Sequence, residues 1–174
     1  MLTVVITIII IVIAFIIYVS MRPGTFPITR SVKIKAPQEK VFALINDLRQ
    51  WEGWSPWEKA DPNVKRTYNN VANGKGAIYE WEGNKNVGQG RMEITDSFAN
   101  SKVILKLDFI KPFEGHNTVE FLLTSQGGDT VVTQTMYGEN NFMSKVMGIF
   151  FSMDKMIGDK YQEGLNNLRE IAEK

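Results

Sequence analysis

The chain has 174 residues, 44% hydrophobic and 22% charged, with 20 basic and 19 acidic side chains giving a formal charge of +1. That balance argues against wholesale disorder and leaves no basic surplus for a nucleic-acid footprint. With no cysteine and one histidine, His116, the chain cannot build a disulfide, a thiol nucleophile, cysteine-bound zinc, an iron–sulfur cluster or a histidine-rich metal site. No metal or cofactor is expected.

Leu2 to Val19 contains no charge, and fourteen of these eighteen positions are Leu, Val, Ile or Phe. As a helix the run measures roughly 27 Å, close to the ~30 Å hydrocarbon core of a bilayer. Its apolar side chains contribute at most about −4 to −8 kcal/mol to insertion. Tyr18 suits the interface, and Arg22-Pro23-Gly24 ends the span. A cleaved secretory signal is the competing reading. It needs a basic start and small residues before the cut, and Ile17-Tyr18-Val19-Ser20 is a poor cleavage site. The expected organisation is therefore a transmembrane anchor over residues 1–22 and a ligand-binding domain over 23–174. The protein would be a single-pass protein of the cell membrane. Arg22, Arg30, Lys33 and Lys35 follow the span, so the positive-inside rule favours a cytoplasmic body.

The body opens with a strand near Phe26–Lys35, where Ile28, Val32 and Ile34 alternate with polar residues. Ala36-Pro37 stops it and introduces a helix carrying Val41, Phe42, Leu44 and Ile45. A second short helix around Asp47–Trp51 leads into a tryptophan-rich loop, Trp51 to Trp57. Six further strands are expected near Val64–Val71, Gly76–Gly83, Asn86–Ser97, Lys102–Lys111, His116–Ser125 and Thr130–Glu139, separated by turn signals such as Asn73-Gly74 and Gly127-Gly128. Short connections imply an antiparallel meander. A long helix closes the chain, with Met153, Met156, Ile157, Tyr161, Leu165, Leu168 and Ile171 on one stripe. Gly158 and Gly164 each cost about 1 kcal/mol relative to Ala in a helix interior. Either the helix approaches the sheet, or a bound molecule, closely there, or the glycines sit on tolerant exposed turns.

These pieces resemble the START-like superfamily, and within it the membrane-anchored polyketide cyclase/dehydrase and lipid transport proteins. The resemblance rests on Ala36-Pro37 with Val41-Phe42, Trp54-Ser55-Pro56-Trp57, Tyr79-Glu80-Trp81-Glu82-Gly83-Asn84, Gly88-Gln89-Gly90-Arg91-Met92, Lys111-Pro112-Phe113-Glu114-Gly115, Met153-Asp154-Lys155-Met156-Ile157-Gly158 and Glu163-Gly164-Leu165-Asn166-Asn167-Leu168. It covers about Phe26 to the C-terminus. It implies an α+β helix-grip fold, a curved seven-stranded antiparallel sheet around the long C-terminal helix, with an apolar cavity between them. It implies no reaction, because the superfamily includes carriers, ring-closing enzymes and chaperone activators without a shared catalytic signature.

Tyr79 and Trp81 share one face of a strand, with Glu80 and Glu82 on the other. If that face is concave, both rings line the cavity; otherwise they are ordinary core. Phe109, Phe121 and Tyr137 extend the same choice to neighbouring strands. Trp54 and Trp57 either gate ligand entry or pin their loop to the sheet. Phe142 to Met153, including Met147 and Phe150, has Lys145 as its one charge. It reads as a lid beside the cavity, dipping into the bilayer, or as a segment buried against the body. Candidate ligand-contacting residues are thus Tyr79, Trp81, Phe109, Phe121, Tyr137, Met147, Phe150, Trp54 and Trp57; none is assigned a catalytic role. Glu80, Glu82, Glu93, Asp96 and Asp108 read as solvated exterior, and His116 as an exposed turn residue. Gly88-Gln89-Gly90 runs into a strand instead of a helix, which excludes a nucleotide loop.

Three functions remain open at this level. The first is a membrane-tethered module binding a hydrophobic or amphipathic molecule such as a lipid, isoprenoid or polyketide-like compound. The second is a cyclase or dehydratase using Tyr79, Tyr137 or a buried carboxylate. The third is a protein-interaction module without ligand. The expected partners are a hydrophobic small molecule or lipid, and the membrane through residues 2–19, with no nucleic acid.

Overall fold

The computed structural model describes residues 2–21, 25–139, 145, 146, 149 and 152–174. Helix α1 (Leu2–Ser20) is exposed along almost its whole length and has a mean hydropathy of 3.2 in its most apolar window. That length and composition are enough to cross a membrane. At its C-terminal end Val19 is buried, and Lys145 Nζ donates to the Ser20 carbonyl at 3.3 Å. A cation placed there compensates carbonyls that the helix end leaves without partners.

Strand β1 (Thr25–Ile34) is followed by α2 (Gln38–Asn46), a 3₁₀ turn at Leu48–Gln50 and the single-turn helix α3 (Trp51–Trp54). Pro37 stands just before α2, where its missing N–H costs nothing, and Asp47 accepts from the Arg49 N–H at 2.9 Å to start the 3₁₀ turn. The remaining strands are β2 (Lys65–Tyr68), β3 (Ile78–Glu82), β4 (Gln89–Phe98), β5 (Lys102–Lys111), β6 (Gly115–Gln126) and β7 (Asp129–Glu139). Helix α4 (Met153–Ala172) ends the chain. Its N-cap Ser152 accepts from the Lys155 N–H at 3.2 Å.

The strands form one antiparallel sheet in the order β1-β7-β6-β5-β4-β3-β2. A meander from β2 to β7 is completed by β1 returning beside β7. The two-residue turn Gly127-Gly128 between β6 and β7 has positive φ at both positions, 62° and 92°, matching the twist of the flanking strands. A bulge in β4 between Ile94 and Asp96 shifts the register by one residue. Without it Asp96 would share the inner face with Ile94; with it Asp96 turns outward and pairs with Lys75 at 2.9 Å. The inner face is a continuous apolar core built from Ile28, Val32, Ile94, Val103, Leu105, Val119, Phe121, Leu123, Val132 and Met136, covered by Leu165 and Leu168 of α4.

Register also fixes which connections share an end of the sheet. Thr25 pairs with Glu139, Asn117 with Gly138, Phe109 with Gly115, Gln89 with Lys111 and Glu82 with Gln89. The start of β1, the β5–β6 hairpin and the β3–β4 hairpin therefore lie at the end of the sheet from which the chain leads back to α1. The turns β4–β5 and β6–β7 lie at the opposite end.

Both helix glycines prove to be close approaches. A Cβ on Gly158 would fall on the guanidinium of Arg30, which crosses from β1 to bind both carboxylate oxygens of Asp154 at 3.0 Å. A Cβ on Gly164 would stand 3.1 Å from Pro56 Cδ and 3.7 Å from Trp54. The helix is thus pressed onto β1 at one point and onto the tryptophan loop at another.

Candidate ligand-binding face

Tyr68 of β2, Tyr79 and Trp81 of β3 and Phe109 of β5 form a row on the inner face. Tyr68 stacks on Tyr79 with ring centroids 5.1 Å apart, Tyr79 on Trp81 at 5.9 Å, and Trp81 meets the edge of Phe109 at 6.1 Å. Trp81 and Phe109 sit on strands separated by β4, and Gly90 of β4 makes their contact possible. A Cβ there would overlap the six-membered ring of Trp81 and come within 2.6 Å of the Asp108 carbonyl. At the other end of the row the Arg49 guanidinium lies 5.1 Å from the Tyr68 centroid, a favourable cation–ring geometry.

The polar tips of Tyr79 and Trp81 are already engaged. Trp81 Nε1 donates to the Val87 carbonyl at 3.2 Å. The Tyr79 hydroxyl donates to Glu58 Oε1 at 2.5 Å, and Arg66 Nε donates to Glu58 Oε2 at 2.7 Å. Burial, reinforced by the neighbouring Glu58 carboxylate, holds the Tyr79 hydroxyl far above its ordinary range of ionisation. Tyr79 therefore stays neutral with its proton committed, and Arg66 balances the charge of Glu58. Asp61 ties the same loop to the β3–β4 hairpin by accepting from the Asn84 N–H at 2.7 Å. The row presents carbon surface instead of reactive groups.

Burial changes along this face in one direction. On β5 the inward side chains are 0% exposed at Val103 and Leu105 and 8% at Leu107, while Phe109 is only partly buried. On β4 Ile94 is fully buried and Met92 partly. Ile157 and Met153, in the first turns of α4, are likewise apolar and incompletely covered. The backbone of α4 runs close to β1, α3 and α2 and farther from the other strands. On β4 and β5 the cover over the inner face therefore thins toward the sheet end that leads to α1.

Of the residues singled out from the sequence, Tyr79, Trp81 and Phe109 come together in this row. Phe121 and Trp54 are buried elsewhere, in a second aromatic cluster. Trp51 and Trp54 lie 4.6 Å apart and both meet the Phe121 edge, at 5.6 and 6.2 Å. The Trp54 indole donates to the Leu44 carbonyl at 3.2 Å, and its own carbonyl accepts from Asn167 of α4 at 3.0 Å. This is the loop-pinning arrangement. Trp57 is more open and stands edge-on to Tyr161 at 5.7 Å. Tyr137 departs from expectation. Gln134 and Met136 of β7 face inward, so alternation turns Tyr137 to the outer face, where it is 50% exposed. Met147 and Phe150 lie outside the described residues.

Sequence reasoning passed over Glu58 and Arg66. Nothing in the run Trp57-Glu58-Lys59 distinguishes Glu58 from a solvated loop charge. It becomes a partner of Tyr79 because the loop folds over β2 and β3. The five strand carboxylates lie on the outer side, where Glu80 and Glu93 flank Arg91. Asp108 is the most covered of them, bonded to His116 Nδ1 at 2.7 Å and to Lys106 at 3.0 Å. Although partial burial acts the other way, these bonds hold Asp108 below the usual carboxylate range, and Asp108 raises the His116 imidazole above its ordinary value. Among the described residues no group of three or more acidic or histidine side chains is arranged to hold a metal.

A curved antiparallel sheet closed over a long C-terminal helix, with two short helices after the first strand, defines the START-like helix-grip class. The family of polyketide cyclase/dehydrase and lipid transport proteins matches residues 25–173, and the chain belongs to it. No curated protein matches the sequence. Solved structures share the fold at low identity. Protein CV1439 from Chromobacterium violaceum is 13% identical, with a TM-score of 0.61 over 88% of this chain and 99% of its own. The Aha1 dimer from Colwellia psychrerythraea is 16% identical, with a TM-score of 0.61 over 85% and 96%. The di-domain ARO/CYC protein BexL, of the BE-7585A biosynthetic pathway, is 13% identical at 0.61, over 90% of this chain and 52% of its own.

Proposed function

We propose that this protein is a membrane-tethered module that takes up a hydrophobic or amphipathic molecule, of the lipid, isoprenoid or polyketide-like kind, between its sheet and α4. The observation that carries this reading is the loss of burial along the inner faces of β4 and β5 toward Met92 and Phe109, together with the partly buried Met153 and Ile157 of α4. Apolar side chains that point inward yet stay partly accessible are the lining a greasy ligand needs. The described lining is largely carbon, and the polar tips of Tyr79 and Trp81 are satisfied internally, so affinity comes from transfer out of water. At ~0.8 kcal/mol per methylene, enclosing five to ten contributes about 4–8 kcal/mol before the cost of association. An uncleaved α1 holds the site beside the phase in which such molecules dissolve, with the body on the cytoplasmic side. Release of the full chain from lipid nanodiscs into native mass spectrometry tests the reading. A retained lipid or isoprenoid, lost on Phe109→Asp, is expected; a chain that emerges empty from mixed lipids and takes up nothing refutes it.

The cyclase or dehydratase reading has one observation in its favour, the short Tyr79–Glu58 bond inside the fold. Its weakness is chemical: the phenol proton is committed and the carboxylate is neutralised by Arg66, so neither is poised to move a proton. Under the binding reading, Tyr79→Phe leaves ligand uptake within a few-fold of the parent chain.

A further inference from the structure

We propose that the tip of the β5–β6 hairpin, Ile110 to Phe113, is a membrane-docking element. In this view it rests in the headgroup region of the bilayer that α1 spans and presses the mouth of the binding space onto that surface. The inference rests on the reading of α1 as an anchor and adds a second, independent point of contact.

The argument is one of level and chemistry. Asn117 of β6 is level with Gly138 of β7, and Gly138 with Phe26 of β1. Phe113 lies four residues beyond Asn117, two of those steps in β6 and two in the turn, so at ~3.3 Å per residue the hairpin projects between about 7 and 13 Å past that level. The chain from Met21 to Thr25 spans four residues and reaches at most about 14 Å. The tip therefore lies within the range of levels that the connection to α1 can reach. Three strand spacings, about 14 Å, separate β1 from β5 across the sheet, so the tip meets the same surface beside the anchor and not beneath it.

What the tip carries suits that position. Phe113 is 73% exposed and Ile110 50% exposed. They flank Lys111, and Lys85 at the apex of the neighbouring β3–β4 hairpin lies at the same end; neither lysine has an ion-pair partner among the described residues. Two apolar side chains beside two free cations match an interface of acyl chains below anionic headgroups. Of the opposing charges at this end, Glu114 is 3.5 Å from His116 Nε2, and Glu82, which shares a recess with both lysines, is 3.7 Å from Lys65 Nζ. Phe98, also exposed, is at the opposite end of the sheet, and its ring faces Lys102 Nζ at 5.9 Å; it shares no surface with this tip.

The absence of cysteine in the sequence makes the test direct. Full-length chains carrying Ile10→Cys, Phe113→Cys or Gln126→Cys are labelled with an environment-sensitive fluorophore. They are then reconstituted into phosphatidylcholine vesicles containing phosphatidylglycerol and brominated acyl chains. Gln126 closes β6 at the far end of the sheet. Expected is strong quenching at 10, severalfold more quenching at 113 than at 126, and a decrease at 113 when phosphatidylglycerol is omitted. Quenching at 10 with equal, weak quenching at 113 and 126 overturns the docking proposal and leaves the anchor standing. No quenching at 10 overturns the anchor and the docking together. A probe at 113 reached by neither bromolipid nor aqueous iodide overturns the proposal in favour of a protein contact.

Discussion

Gly90→Ala is the most informative single change in the aromatic row. The added Cβ would overlap the Trp81 ring and stand 2.6 Å from the backbone oxygen of Asp108. Trp81 cannot simply swing away, because Tyr79 stacks on one side of it, Phe109 meets the other, and its indole N–H is bound to Val87. Overpacking of this kind costs about 1–3 kcal/mol, and a clash that includes backbone belongs at the upper end, about 3 kcal/mol. For a domain of some 150 residues that corresponds to a fall in midpoint temperature of about 6–12 °C. Gly158→Ala supplies the contrast. The atoms it meets are the far end of the Arg30 side chain, which is free to leave Asp154. Asp154 is largely exposed, so the lost pair is worth less than about 1 kcal/mol. Alanine returns about 1 kcal/mol of helix propensity, for a net change near zero. Urea unfolding of the full chain in mild detergent, followed by tryptophan fluorescence, measures both. A Trp81→Phe background, lacking the overlapped ring atoms, should reduce the cost of Gly90→Ala to about 1–2 kcal/mol through the coupling of the two sites. If Gly90→Ala costs less than about 0.5 kcal/mol, or costs the same in both backgrounds, the packing argument is wrong.

Further outcomes follow from the polar contacts. Arg66→Met leaves the largely buried Glu58 carboxylate without its cation and should destabilise the fold by about 2–3 kcal/mol, below the ~3–5 kcal/mol of a fully buried pair because Arg66 is partly exposed; adding Glu58→Gln in the same unfolding assay should recover most of it. The single imidazole resonance, His116, should titrate by NMR above its usual range and return toward it in Asp108→Asn. The sign follows: a raised folded value gives stability that is fully present below the unfolded pKa of about 6.5 and lost as pH rises through the folded value. Asp108, held below its usual range, gives stability present above the ordinary carboxylate pKa and lost as pH falls through the folded value.

Much of the architecture was legible because it follows from periodicity. The uncharged run marks α1 by its length and composition, while the alternation of Val103, Leu105 and Leu107 and the stripe of α4 each report one element burying one face. The strand limits over Lys102–Lys111 coincide with β5. Expectations drifted where the local pattern was weak. The stretch Val64–Val71 contracts to Lys65–Tyr68, and Asp47–Trp51 resolves into a 3₁₀ turn followed by α3. The aromatic row was half visible: Tyr79 and Trp81 at i and i+2 must share a face, whereas Tyr68 joins them through the pairing of β2 with β3.

Local composition and spacing account for most of the helices and strands, for one helix long and greasy enough for a bilayer, and for the lack of thiol chemistry and disulfides. The rest depends on contacts made only in the folded chain. β7 mixes polar and apolar residues on both faces, so Tyr137 turns outward only because Gln134, which meets Tyr161 of α4, and Met136 occupy the inside. Glu58 is a loop charge until the chain lays it against a tyrosine and an arginine from two strands. Gly90 and Gly158 are permissive residues until a ring and a guanidinium arrive from elsewhere in the chain. Such contacts join residues distant in sequence, and their energies depend on approach distances that no local pattern encodes.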